Sequence, residues 1–493
     1  MENLSRKLQI VLFVSCMTLL SFNDLSAQNA WAIKFEAVGS LSSPRVADLN
    51  QDGVGDVIQG ISRIEFQPCD SAIIALDGKT GKILWMLPAE DQIFGSAGLM
   101  DITGDGIEDV FIGGRSAELQ AINGNTGELI WKFQDPDKDK KRKDKKWFNF
   151  YNPQFVPDQD GDGMKDILIS NGGDVMVAAY DPNRPTGNLS VLSSRDGSIL
   201  AYAPMPDGKE IYMSIAVNEK PDGSDYEVIY GTGGETIGGN LYITTLSDIM
   251  SGDLTNSIML DSCPNKGFIG PPAWVEITGD GVRDIIVNSV DGRMLAYNGL
   301  TKAKIWEVVM PNTECYTSIA PGYFNNDNTL DFFISLAQGV WPELDWTRQY
   351  MVNGRTGKIE FEDSLGFYQT ITPVVADFDE DGLDEALVVV DYQVVDDQNR
   401  KFFYNMLLVI DFVTNELIDL GISHEGHNMA STPWIGDLDG NGFMDIIFSH
   451  STNYKKTYAF DGYQINKITT TIPIKKEIKW GAYMGSNYDG VYK

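Results

Sequence analysis

Histidine is scarce in this chain: three in 493 residues, none in an HExxH arrangement, too few for a mechanism that needs several histidines. Cysteine is nearly as sparse. Of four, only Cys69, Cys263 and Cys315 lie beyond residue 27, and no two are adjacent, so any disulfide leaves one thiol over. Positive charge is also short: 38 Lys and Arg against 70 Asp and Glu give a formal net charge of −32. Such a surface repels phosphate, which argues against nucleic acid as a partner. After the first residues no apolar run is long enough to span a bilayer, so no transmembrane segment is expected in the mature chain. What the chain has in quantity is glycine (49), proline (20) and a 43% hydrophobic content, a β-leaning composition with ample material for a large core.

Residues 1–27 carry Arg6 and Lys7, an apolar stretch from Leu8 to Phe22 and small residues near Ala27. That order describes a secretory signal peptide cut after Ala27, leaving 28–493 as one exported domain, secreted, on the cell surface or in the periplasm. A lipoprotein at Cys16 fits less well, because Met17–Phe22 continues the apolar run. The terminal LSAQ resembles the leaders of exported Bacteroidetes-type bacterial proteins.

An acidic nonapeptide recurs down the chain: DLNQDGVGD from Asp48, DITGDGIED from Asp101, DQDGDGMKD from Asp158, EITGDGVRD from Glu276, DFDEDGLDE from Asp377 and DLDGNGFMD from Asp437. A degraded copy starts at Tyr323 and an eroded one near Val217. The eight starts are spaced by roughly 47 to 60 residues, the size of one propeller blade. Each unit follows a short apolar stretch, often with a proline four residues earlier (Pro44, Pro272, Pro373, Pro433), and precedes an apolar strand and then a hairpin such as LQAINGNTGELIWKF. Strand, acidic loop, strand, strand, turn, strand predicts four antiparallel strands per blade. The expected fold is all-β, an eight-bladed β-propeller, or seven-bladed if the Val217 unit is only an insertion. WAIKFEA near the N-terminus and WGAYMGSNYDGVYK at the C-terminus are expected to meet at or cap the closure seam.

The acidic loops resemble the FG-GAP repeats of integrin α-chain propellers. The hairpins resemble the tryptophan-docking repeats of quinoprotein propellers: Ala75, Asp77, Gly81 and Trp85 fit fully, and Ala121, Asn123, Gly127 and Trp131 fit with one amide exchange. The FG-GAP resemblance implies oxygen ligands at loop positions 1, 3, 5 and 9, a backbone carbonyl at 7 and a glycine bend at 6. Hard oxygens without Cys or His favour Ca²⁺, several ions in a structural role. The strongest expected sites are Asp48/Asn50/Asp52/Asp56, Asp158/Asp160/Asp162/Asp166, Asp377/Asp379/Asp381/Glu385 and Asp437/Asp439/Asn441/Asp445. Asp101/Thr103/Asp105/Asp109 and Glu276/Thr278/Asp280/Asp284 carry threonine at position 3 and should bind more weakly. An EF-hand needs glutamate at position 12; Gln59, Ile169, Val388 and Phe448 stand there instead.

Outside the loops, residues 134–151 form an insertion that is basic from 138 to 146 and aromatic from Trp147 to Tyr151, and 335–347 carry two tryptophans. Lys141, Arg142, Trp147, Trp341 and Trp346 are the candidate ligand contacts, with a solvated, partly self-neutralised loop as the plainer alternative. His424 and His427 are expected in a surface loop, and Cys263 with Cys315 is the pair placed for a disulfide. No catalytic constellation is present. The expected function is therefore binding, adhesion or scaffolding towards an extracellular or periplasmic protein or glycan. The alternative is a lyase-type enzyme on acidic polysaccharides. A quinoprotein dehydrogenase is disfavoured by the absence of a vicinal cysteine pair.

Overall fold

The computed structural model describes residues 27–341, 343–367 and 371–493. All but the last residue of the expected leader lies outside them. Eight antiparallel sheets follow one another along the chain, spanning residues 45–89, 98–132, 149–204, 216–263, 273–309, 313–363, 374–425 and 434–473; we number these blades 1 to 8. The eroded unit is a full blade, with strands Ala216–Glu219, Tyr226–Gly231, Gly239–Thr245 and Ile258–Cys263. The propeller is therefore eight-bladed. The outer strand of blade 8 is the N-terminal Ala27–Glu36, paired antiparallel with Gly462–Pro473, so WAIKFEA closes the ring.

Burial follows position within a blade. Second strands such as Asp56–Gly60 and Asp109–Gly113 are buried on both faces because neighbouring blades pack against each, and they read as continuous apolar runs. Outer strands such as Ile83–Ala89 alternate between exposed and buried residues.

Two devices tie blade to blade. A tryptophan on one outer strand donates its indole N–H to the hairpin of the next blade: Trp31 to Gly78 O (2.9 Å), Trp85 to Gly124 O, Trp131 to Ser194 O and Trp306 to Gly354 O (each 2.7 Å). Each ring also lies on the hairpin glycine of that next blade. At Gly127, with φ +70°, an added Cβ would stand 2.4 Å from Trp85. The second device is a polar belt two residues ahead of the innermost strands. Thr432 N donates to Ser43 Oγ (3.0 Å), Ser43 N to Ser96 Oγ (2.9 Å), Ser96 N to Asn152 Oδ1 (2.9 Å) and Ser318 N to Thr372 Oγ1 (3.0 Å). Pro44, Pro373 and Pro433 follow belt residues directly, at strand starts where no ladder N–H is required.

The C-terminal segment departs from expectation. With blade 8 already complete it has no open edge to pair with, and residues 480–493 fold into the axial channel instead. Val375 N donates to Trp480 O (2.9 Å), Ile435 N to Gly481 O (2.8 Å), Arg45 Nη1 to Tyr483 O (2.8 Å) and Trp274 N to Gly490 O (2.8 Å). These anchors come from the innermost strands of blades 7, 8, 1 and 5. Trp480, Met484 and Val491 are buried there, and Arg45, itself buried, stacks on Tyr488 at 4.0 Å.

Candidate functional site

The six acidic loops all join first and second strands and so share one face of the propeller. In five of them the position-6 glycine N–H donates to the first aspartate: Gly53, Gly106, Gly163, Gly382 and Gly442, at 2.8–3.1 Å. These glycines have φ between +83° and +92°, the bend that the motif demands. The ninth residue turns inward and accepts the N–H of position 2: Leu49 to Asp56 (2.9 Å), Gln159 to Asp166 (2.6 Å), Phe378 to Glu385 (2.6 Å). Asp56, Asp109 and Asp284 each accept a further N–H from a hairpin glycine, Gly78, Gly124 and Gly299, which locks loop to blade, and Asp331 of the degraded copy accepts Gly354 N–H in the same way.

The loops then diverge. In blades 3 and 7 the carboxylates of Asp158, Asp160 and Asp166, and of Asp377, Asp379 and Glu385, bring oxygens within 4.8 Å of one another. Burial, reinforced by Asp379, Asp377 and Asp381, pushes the Glu385 carboxyl up to about 9. Like charges held this close raise one another's pKa values, and a cation among the oxygens would relieve that repulsion.

Blades 2 and 5 differ from this pattern at the two threonines expected as position-3 ligands. Thr103 Oγ1 lies 3.5 Å from both Asp101 and Asp109, and the hairpin amide Asn123 Nδ2 approaches it at 3.4 Å. Thr278 Oγ1 donates to Glu276 (3.4 Å) and accepts Asn298 Nδ2 (3.4 Å). The same amides reach further into the loops, Asn123 to Asp105 (3.5 Å) and Asn298 to Asp280 (3.0 Å) and Asp284 (3.3 Å). Thr103 and Thr278 thus sit in these loops as neutral hydrogen-bonding groups, each shared between a carboxylate and an amide, and neither loop gathers three carboxylates as blades 3 and 7 do. A hydroxyl brings no charge to offset that of a cation, and the sequence showed the threonines but not the amides that engage them.

In blade 1, Asn50 Nδ2 lies 3.5 Å from Asp56 and 3.4 Å from Asp77, while Asp52 caps Val54 N. In blade 8 a buried ammonium has arrived: Lys467 Nζ lies 3.5 Å from Asp445 and 3.8 Å from Asp439, with Asp437 and Asn441 capping the bend. The loop's own residues match the strongest expected sites; Lys467 comes from the third strand of the same blade, opposite Ile447, and lies outside the motif.

The opposite face carries the insertions. Trp147 is not a ligand platform: it is buried against Phe133 (ring centroids 4.9 Å) and Tyr202 (5.5 Å), because the aromatic end of the insertion fills the gap between blades 2 and 3. Trp346 is half-buried against Phe367. Arg142 ion-pairs with Asp174, and Lys141 stays exposed. Residues 173–187, between the second and third strands of blade 3, cross this face: Thr236 of blade 4 donates to Ala179 O, and Tyr180 meets Trp341 of blade 6 at 6.3 Å. His427 is not in a surface loop either. It is 2% exposed, with Nε2 3.3 Å from the buried Asp391. His424 stacks near His450, centroids 4.7 Å apart. Cys263 and Cys315 are both buried free thiols, so the disulfide expected between them is not formed.

Small pockets open to solvent lie, among the described residues, beside Trp480 and Lys476 and beside His427 and Tyr463. No helix among these residues is long and apolar enough to cross a membrane.

Residues 31–230 match the FAM234A/B beta-propeller family. Mouse protein FAM234B is 22% identical over 407 residues and the human protein 21% over 417; each alignment covers 75% of this chain and 60% of the relative. The chain thus spans about 60% of the length of the curated relatives it matches. Among solved structures, the quinohemoprotein alcohol dehydrogenase of Comamonas testosteroni superposes with a TM-score of 0.57 at 12% identity, over 94% of this chain and 79% of that one. A europium-containing methanol dehydrogenase gives 0.56 at 11%, over 90% and 93%. The chain is a β-propeller similar to FAM234B, with quinoprotein-like neighbours in fold.

Proposed function

We propose that this protein is a calcium-stabilised, FG-GAP-like β-propeller exported from the cell, acting as a binding or scaffold module for a protein or glycan rather than as an enzyme. One observation carries this reading: the axial channel, where a propeller of this size offers its deepest cavity, is filled by the chain's own residues 480–493. The space left for interaction is the outer surface.

The donor sets of blades 3 and 7 suit a hard divalent cation, all oxygen and acid-rich. Asp158, Asp160, Asp162 and Asp166, and Asp377, Asp379, Asp381 and Glu385, would hold it; the bound ion would neutralise the clustered carboxylates and clasp loop to strand. Blade 1 supplies a third, thinner set. Purified chain should melt at higher temperature in calcium than in EGTA, and should retain a partner from a glycan and extracellular-protein panel without turnover. Growth of unsaturated uronate absorbance on an acidic polysaccharide would overturn the reading in favour of a lyase.

A further inference from the structure

On the face opposite the acidic loops, the insertion at 134–151 gathers lysines in a molecule of net charge −32. Lys138, Lys141 and Lys143 are exposed and make no ion pair among the described residues, with Asp139 and Asp144 exposed between them; Lys146 lies over the Tyr202 ring at 5.5 Å, and Lys140, Arg142 and Lys145 are engaged by Asp137, Asp174 and Asp135. Their loop is held from below. Buried Asp137 accepts the Lys146 N–H (3.1 Å) and the Lys140 ammonium (2.6 Å), so residues 137–146 are clasped at the base and present the free lysines outward. Beside them lies an apolar patch. Met176, Tyr180 and Val340 are 59%, 65% and 53% exposed, and Tyr180 rests near Trp341. Strip and patch are physically joined, since Asp174 both pairs with Arg142 and accepts the Met176 N–H at 3.0 Å.

We infer that this face docks an acidic stretch of another protein bearing an apolar side chain, acid groups meeting the free lysines and the apolar group covering Met176, Tyr180 and Val340. The inference rests on the binding-module reading and deepens it. A cationic strip on an otherwise acidic surface selects partners by charge and raises the encounter rate with acidic ones. Exposed Met and Val next to it offer adaptable apolar area, which suits side-chain packing. A glycan is less suited: the insertion's own aromatics, Trp147, Phe148, Phe150 and Tyr151, are in the core, which leaves only Tyr180 and the half-buried Trp341 to stack on sugar rings.

The test uses the full mature chain with calcium and a fluorescein-labelled peptide of eight glutamates flanking a central Trp-Leu pair. Saturable binding is expected, weakened about tenfold or more by Lys138→Glu/Lys141→Glu/Lys143→Glu and severalfold by Tyr180→Ser, with affinity falling as salt rises. All four side chains are exposed, so unchanged melting temperatures certify the fold. Equal binding by the triple variant overturns the proposal. So does tighter, Tyr180-independent binding of heparin oligosaccharide, or co-sedimentation with phosphatidylserine vesicles in place of peptide binding. These failures leave the broader reading standing, because that one falls only to turnover on the polysaccharide panel.

Discussion

Blades 7 and 8 carry loops that are nearly interchangeable as sequence, DFDEDGLDE and DLDGNGFMD, and the structure resolves their charge in opposite ways. In blade 7 nothing positive reaches Asp377, Asp379 or Asp381 within ion-pairing distance among the described residues, and Lys476 pairs with Asp384 at the rim. The inward Glu385 is left with burial and three acidic neighbours, all raising its pKa. In blade 8 the equivalent inward carboxylate, Asp445, has Lys467 beside it. A loop motif therefore does not by itself define a cation site; in blade 8 the third strand supplies an ammonium beside the inward carboxylate, and of the two only blade 7 leaves that place to the metal proposed above.

The largest effect is expected from removing that ammonium. Lys467→Met would leave Asp439 and Asp445 with no cation, and stripping one partner from a buried pair costs about 3–5 kcal/mol. Calcium should then recover part of the loss, because the loop reverts to the blade 7 arrangement. Denaturant melts of wild type and variant with and without calcium check this. A variant that is destabilised but gains no calcium response would break the comparison.

Chelation comes next. A site filled at a calcium concentration 100-fold above its Kd contributes about 2.7 kcal/mol of apparent stability. Asp160→Asn in blade 3 or Asp379→Asn in blade 7 should each remove part of the difference between calcium and EGTA melts, while Asp439→Asn in blade 8 should leave that difference unchanged. Equal losses at all three positions would show that Lys467 does not distinguish the loops.

Much of this architecture is legible in the chain. The acidic loops, their glycine bends and the Asn-Gly hairpins are local features, and their recurrences give the strand order and an expected eight blades; the choice against seven comes only when the eroded Val217 unit proves to hold four paired strands. Even the docking of Trp85 is foreshadowed by its motif, although its glycine partner, Gly127, belongs to the next blade. The rest depends on contacts that composition does not announce. Lys467 lies 22 residues beyond Asp445 and meets it only through strand register. Asp391 stands 36 residues before His427, in the second strand of blade 7, whereas His427 follows the end of the fourth. Trp147 follows a run of lysines, so local polarity suggests solvent, yet its ring fills an inter-blade gap. The tail at 480–493, expected at the closure seam or as its cap, is a plug in the axial channel, because only the closed ring shows that no edge remains.

The seam between blades 7 and 8 supplies a further contrast, in pH dependence. Burial, with the nearby His424, lowers the His450 pKa from 6.5 to about 3. A base whose folded pKa is lowered binds fewer protons folded than unfolded, so its contribution is complete above pH 6.5 and is lost as pH falls towards 3. The slope approaches about 1.4 kcal/mol per pH unit once the unfolded imidazole is protonated. Raised carboxyls such as Asp331, at about 7, slope the other way, so the contribution must be taken as a difference. His450→Phe, packed beside Phe448, should gain about 2 kcal/mol relative to wild type between pH 7.5 and 5. Parallel stability curves would mean that the imidazole is not shielded as its burial implies.

The smallest effect expected lies in the hairpins, where blades 1 and 2 differ from 6 and 7. Trp85 docks on Gly127, whereas blade 6 offers Phe361 to Phe412 of blade 7 (5.2 Å) with no indole N–H to place. Gly127→Ala meets both a positive φ and the Trp85 side chain, and should destabilise by about 1–2 kcal/mol, the left-handed penalty plus displacement of the ring. Gly421→Ala, also at positive φ (+72°) but with open space around its would-be Cβ, isolates the backbone share. If the two substitutions lower the urea midpoint equally, the ring contributes nothing beyond the turn, and tryptophan docking is a consequence of blade packing rather than one of its causes.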